Sequence, residues 1–275
     1  MPAPRAEALL TQWNWDPSLI LGILALAAGY AYAVGPYRRR RDLPPAGGGR
    51  IAAFAAAELL LVFALISPLD AVGDESLFSA HMVQHLLLAA LWPVLILVAL
   101  TPWMVRPVFT GPLRGPFRFL THPVAAIALF NLDIYLWHFP YLYDLTLQNE
   151  GIHILEHLTF MAFGLLNFWP ILSPIVEQRL SYPLQVLYLF ADGMFMMVLG
   201  IVFTFSPLVF YTPYVSAPRL WGISPLSDQQ LGGLIMWYPG NLPYGVLLVS
   251  AFYRWFDGRE VGAGIQSPTI DPHLP

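Results

Sequence analysis

The chain has 275 residues, of which 57% are hydrophobic and 11% charged, with a mean hydropathy of +0.60 and a formal net charge of −4. A water-soluble domain of this length could hardly cover so much apolar surface, so the composition excludes a soluble globular protein and points to a membrane protein. Cysteine is absent, which excludes disulfides, thiolate copper sites and iron–sulfur clusters, and without basic tracts outside the expected inner loops the chain offers nothing to nucleic acid.

A hydrocarbon core roughly 30 Å thick requires about 20 apolar residues at a helical rise of about 1.5 Å. Seven such runs are present, at about 17–36, 51–68, 79–100, 122–144, 152–172, 184–205 and 231–253. The sequence therefore predicts an all-α protein, a polytopic seven-transmembrane-helix bundle forming a single domain over 1–275, with short loops and no internal repeat.

Between the first two spans, Arg38, Arg39, Arg40 and Arg41 precede a flexible Pro/Gly stretch suited to anionic lipid heads. The connection from Thr101 to Thr121 contains Pro102, Pro107, Pro112 and Pro116 and cannot be one long helix. From about Ser206 to Gln230, prolines alternate with Tyr211, Tyr214 and Trp221, a composition suited to the headgroup level and to a lid. Pro239-Gly240-Asn241-Leu242-Pro243 predicts a kink or local unwinding in the seventh span.

All 13 basic residues are arginines. Eleven fall on one side of the predicted spans, in the first, third and fifth connections and after the seventh span, leaving only Arg5 and Arg219 on the other. Because arginine near span ends is retained in the cytoplasm, the bias places the amino terminus outside and the carboxyl terminus in the cytoplasm. The arginine run follows the first apolar stretch rather than preceding it, which argues against a cleaved signal peptide.

His81-Met82-Val83-Gln84-His85 opens the third span on its outer side. Four residues advance a helix by about 400° and about 6 Å, so both imidazoles share one face. His153 and His157 repeat the spacing at the outer start of the fifth span, and Met161 continues that face. His138 lies about six residues before the outer end of the fourth span, at a similar depth of roughly 9 Å. Five of the seven histidines thus fall in one slab of the outer leaflet, while His122 and His273 do not. A lone intramembrane histidine serves either as a partner between helices or as a ligand, but two such pairs at one depth need something to satisfy them. A metal is expected.

Imidazole with thioether and no thiolate favours copper, and Met82, Met161, Met194, Met196, Met197 and Met236 tilt the choice to Cu(I), although methionine also fills core gaps. Met194 and Met197 share a helix face. Imidazole with carboxylate would also serve zinc or iron. Within the spans, Glu156 can orient a histidine or neutralise metal charge, whereas Glu58, Asp133 and Asp192 each need a partner and the last two equally suit interhelical hydrogen bonding.

At these residues the sequence resembles the CtaG family of cytochrome c oxidase assembly factors, of the polytopic type known from Gram-positive bacteria. The resemblance rests on His81-Met82-Val83-Gln84-His85-Leu86-Leu87, Glu156-His157 with Phe168-Trp169-Pro170, Asp192-Gly193, and Asp228 to Trp237. It implies a role in maturing haem–copper oxidases by holding or delivering copper at the outer face of a bacterial cytoplasmic (inner) membrane, with oxidase subunits or a periplasmic copper donor as partners. It also raises interest in Asp228, which otherwise reads as part of a helix N-cap with Ser227.

Three functions follow as expectations. The first is a non-enzymatic copper-binding assembly factor using His81, His85, His138, His153 and His157, with Met82, Met161, Met194, Met197, Glu156 and Asp228 as secondary candidates. The second is an intramembrane zinc hydrolase with Glu156 or Asp228 activating water. The third is a haem-binding cytochrome, for which adjacent same-face imidazoles are awkward.

Overall fold

A computed structural model describes residues 7–258 and 261. Every regular element among them is helical. We number the helices α1 (Pro17–Arg40), α2 (Gly48–Ile66), α3 (Pro68–Glu75), α4 (Phe78–Ala99), α5 (Pro102–Thr110), α6 (Arg114–Leu120), α7 (Pro123–Trp137), α8 (Pro140–Thr146), α9 (Glu150–Leu172), α10 (Tyr182–Phe205), α11 (Pro213–Ser216) and α12 (Pro225–Phe256).

Among the described residues, five helices are long and apolar enough to cross a bilayer: α1, α2, α4, α9 and α10. The pair α6 and α7, bent by 69° at its break, makes a sixth if it counts as one span. At 32 residues α12 has the length, but Asp228, Gln229, Gln230 and Asn241 dilute its apolarity and it is not in this set. Leu59, Phe63, Leu132, Leu187 and Phe190 turn outward and are more than half exposed, which suits hydrocarbon rather than water.

Two expectations are corrected. The fourth span does not run unbroken from 122 to 144: α7 ends at Trp137 and α8 restarts at Pro140. Proline disfavours a helical conformation in the residue before it, and Phe139 is accordingly extended, with ψ of 128°. Of the kink or local unwinding expected in the seventh span, the unwinding is absent, since α12 is helical through Pro239 and Pro243, where Asn241 Nδ2 donates to Trp237 O at 2.7 Å. Prolines also mark the early spans. Widened turns at Ala33–Tyr37, Val62–Ile66 and Leu87–Leu91 lie at or just before Pro36, Pro68 and Pro93, where a missing N–H and a bulky ring force a register slip.

The most extensive helix packing is between α10 and α12. Glycines permit it: a Cβ on Gly233 would meet Gly200 O at 2.7 Å and Thr204 N at 2.6 Å, so the two backbones touch directly. Helix α4 sits centrally, against α2, α3, α9 and α12. At the end of the bundle that carries the arginine-rich connections, Arg50 donates to Val98 O and Leu100 O, and Arg179 Nε to Ser173 O at 2.7 Å. His81, His85, His138, His153 and His157 lie at the opposite end.

Candidate metal centre

Leu77 at the N-cap of α4 has no side-chain acceptor, so the cap comes from another helix. Asp228 of α12 accepts from Phe78 N at 2.8 Å and Ser79 N at 3.1 Å, satisfying two orphan donors with a charge that suits the helix N-terminus. Arg219 Nη1 stands 4.0 Å from the same carboxylate. Asp228 is thus committed to holding α4, one turn before His81. Helix α9 is capped locally, Asn149 accepting from Ile152 N at 3.1 Å, and presents His153, Glu156 and His157 in its first two turns.

The two helices bring His81, His85, His153, His157 and Glu156 together, one ligand atom from each lying within 4.8 Å of all the others. Ring centroids are 4.1 Å apart for His81 and His85, 4.2 Å for His153 and His157, and 5.3 Å for His81 and His153. His85 Nε2 is 3.7 Å from Glu156 Oε1. His81 and Glu156 are fully buried.

Helix α3 supplies what sequence reasoning missed. Asp74 Oδ1 lies 3.1 Å from His81 Nδ1 and Oδ2 lies 3.4 Å from His153 Nδ1, so one carboxylate orients one histidine of each pair with Nε2 turned inward. Burial pushes the Asp74 carboxyl up to about 6, with the His153 imidazole opposing the rise and Glu75 adding to it. Asp70, one turn earlier, is raised to about 6 by burial and by Asp74, against hydrogen bonds from Asn14 and Gln84. Gln84, buried between the paired histidines, donates to Asp70 Oδ1 at 2.7 Å and Ala64 O at 2.9 Å. The signal available in the sequence was the i, i+4 spacing of Asp70 and Asp74 just before the first histidine pair.

His138 stands beside the group, its ring 5.7 Å from that of His85. It caps α7, with Nδ1 2.7 Å from Ile134 O, which leaves Nε2 without the proton. Met161 shares a cavity wall with His153 and His157. Met82 is buried in the aromatic core, Met194 is 45% exposed, and Met197 lines a separate groove with Trp237 and Asn241. Asp192 accepts from Asn131 and Asn167, tying α10 to α7 and α9, and Asp133 accepts from Trp137 Nε1 at 3.0 Å.

The donor chemistry fits a metal. The Nε2 atoms of His81, His85, His138, His153 and His157 and both carboxylate oxygens of Glu156 are buried without a hydrogen-bond partner. Buried polar atoms are nearly always paired, and so many converging orphans of lone-pair type are what a cation would satisfy. Imidazole and carboxylate together suit copper, zinc, nickel or iron.

On one side the cluster is closed by aromatic rings. Tyr143 and Tyr211 stack at 3.9 Å, Tyr143 lies 5.3 Å from His81, and Tyr211 Oη donates to His138 O at 2.9 Å. Tyr214 Oη donates to Gly73 O at 2.7 Å. These rings bring the expected lid segment onto the site. On the other side, His153 and His157 face a cavity of ≈ 900 Å³ between α1, α2, α3, α4 and α9.

Comparison with known proteins adds to this geometry. The family described as cytochrome c oxidase caa3 assembly factor matches residues 28–258. The chain is 31% identical over 271 residues to uncharacterized proteins Mb0105 of Mycobacterium bovis and MT0111 of Mycobacterium tuberculosis, and 27% identical over 270 residues to ML1998 of Mycobacterium leprae. Each alignment covers 92% of this chain but 40% of the relative, so the chain spans less than half the length of these relatives. No solved structure matches the chain.

Proposed function

Because the chain belongs to the cytochrome c oxidase caa3 assembly factor family, we propose that it binds copper at the histidine cluster and passes it, without catalysing a reaction, to cytochrome c oxidase subunits during their assembly. His81, His85, His153, His157 and Glu156 are the ligands and His138 an adjacent donor. The observation that carries the reading is the set of five buried, unpartnered Nε2 atoms, two of them oriented by Asp74. Imidazole and carboxylate accommodate both Cu(I) and Cu(II), and Met161, on the cavity wall shared with His153 and His157, stays a secondary thioether donor favouring Cu(I); an electron paramagnetic resonance spectrum of loaded protein distinguishes the two states.

The proposal includes a multi-pass placement in the bacterial cytoplasmic (inner) membrane, with α12 as a seventh span and the cluster at the outer face. The packing of α12 along α10 and the arginines at the end away from the histidines support it. Elemental analysis of purified protein is expected to return copper and no Soret absorption, and copper is expected to be lost in the His81→Ala/His85→Ala variant. Unchanged copper in that variant would falsify the ligand assignment. A zinc hydrolase is the second reading, favoured by Glu156, whose unpartnered carboxylate beside the histidines could activate a metal-bound water. Zinc in place of copper, with hydrolysis of an amide substrate, would establish it.

A further inference from the structure

We propose that the metal reaches the cluster sideways, through the cavity behind the outer half of α1, and that the carboxylates around this cavity gather the cation. The inference rests on the cluster being a metal site and adds its access route. Two proposed ligands, His153 and His157, line the cavity, and the Nε2 atom of each is buried without a hydrogen-bond partner. The other approach is shut: Tyr143, Tyr211 and Tyr214 are at most 2% exposed and are joined by stacking and hydrogen bonds.

The cavity is charged at its rim and apolar below. Asp16, Asp70, Asp74, Glu75 and Glu150 line it, and among the described residues no arginine does. Leu19, Ile23, Leu61, Trp92 and Met161 form the deeper wall. Carboxylates of one sign beside low-dielectric walls focus their field and raise the local concentration of a cation, accelerating association by about 10 to 10³-fold. Asp70 and Asp74 are engaged by hydrogen bonds, whereas Glu75 and Glu150 are exposed on the rim.

The wall that separates this space from lipid is α1, the least buried of the candidate spans at 6%. Its inner half is anchored, Tyr30 Oη donating to Ala99 O at 3.1 Å and the Tyr30 ring stacking on Phe54 at 3.8 Å. The segment before α1 is pinned where Asn14 N donates to Ile66 O and Asn14 Nδ2 to Asp70 Oδ2, both at 2.9 Å, which holds Asp16 over the mouth. Between these ties Ile23 packs against the core, but a Cβ placed on Gly22 has no neighbour within 4 Å.

Two variants test the route. Gly22→Trp fills the cavity from a position with open space, and Glu75→Gln/Glu150→Gln removes rim charge without touching the proposed ligands. Apo protein in nanodiscs is mixed with copper ion alone, quenched with chelator at timed intervals, and assayed for retained metal, with zinc ion run in parallel. The carboxamide pair is expected to load about tenfold more slowly at low salt, with the difference vanishing at high salt, and to reach the wild-type stoichiometry. Gly22→Trp is expected to load slowly at all salt concentrations. Wild-type loading rates in both variants overturn the route while leaving the copper site standing. A wild-type protein that retains neither copper nor zinc overturns the site and the route together.

Discussion

Asp74 joins two helices' worth of histidines through the two oxygens of one carboxylate. Removing its charge while keeping its shape tests what that orientation contributes. Asp74→Asn is expected to weaken copper binding by about 10 to 100-fold, the usual cost of losing a partner behind a ligating histidine, with stoichiometry at saturation unchanged in a titration against a competing chelator. Asp70 makes a separate prediction in pH. Its carboxyl rises from 3.8 to about 6 on folding, so its favourable contribution is present below about 3.8 and is lost as pH climbs through about 6, up to about 3 kcal/mol. The melting temperature of wild type relative to Asp70→Asn should therefore fall between about pH 4 and pH 7; a flat difference would refute the assignment. The histidine pairs were legible because i, i+4 spacing fixes a shared face in any helix. Asp74 was not, because its partners sit seven and 79 residues away on two other helices and only the packing of α3 brings them together. The methionines divide by burial, which residue type does not give: Met82 is in the core, Met194 on the outer surface, and Met161 on the cavity wall shared with His153 and His157.

At the scale of elements, the histidine helix is held from outside itself. Asp228→Ala is expected to destabilise the protein by about 1–2 kcal/mol, since two buried N–H groups lose a charged acceptor, and to loosen copper retention indirectly. Thermal unfolding of the apo protein checks the first effect independently of the second. Gly233→Leu is expected to be more severe, as its side chain would enter the backbone of α10; failure to accumulate in the membrane is the anticipated outcome. The sequence pointed to the fourth histidine through depth along an unbroken span. The break at Pro140 makes His138 a helix terminus instead, and its place beside the cluster comes from capping α7 rather than from projecting from a helix face. The proline was visible, but an apolar run long enough to span concealed its effect.

For the whole molecule, hydropathy located every long apolar helix within a few residues, because the bilayer sets their length and the backbone must be satisfied internally. The seventh run, at 231–253, falls in α12, which is outside the set apolar enough to cross and whose polar residues are engaged elsewhere in the fold: Asp228 caps α4, and Gln229 accepts from Phe210 N, in the connection after α10, at 2.7 Å. The proposed orientation has a clean test, since a chain without cysteine tolerates single-cysteine reporters. Ser216→Cys is expected to react with an impermeant thiol reagent from outside intact cells and Arg41→Cys only after lysis; the reverse pattern would invert the topology.

The lightly packed outer half of α1 carries a consequence for engineering. Asp16, Leu19, Gly22 and Ile23 precede residue 28, where the family match begins, and the histidine cluster lies within it. On the proposed route, this stretch of the wall can be altered without touching the proposed ligands. Replacing it is then expected to change how fast a metal ion is taken up while leaving the affinity of the bound state unchanged, a split that loading rate set against equilibrium titration reads directly.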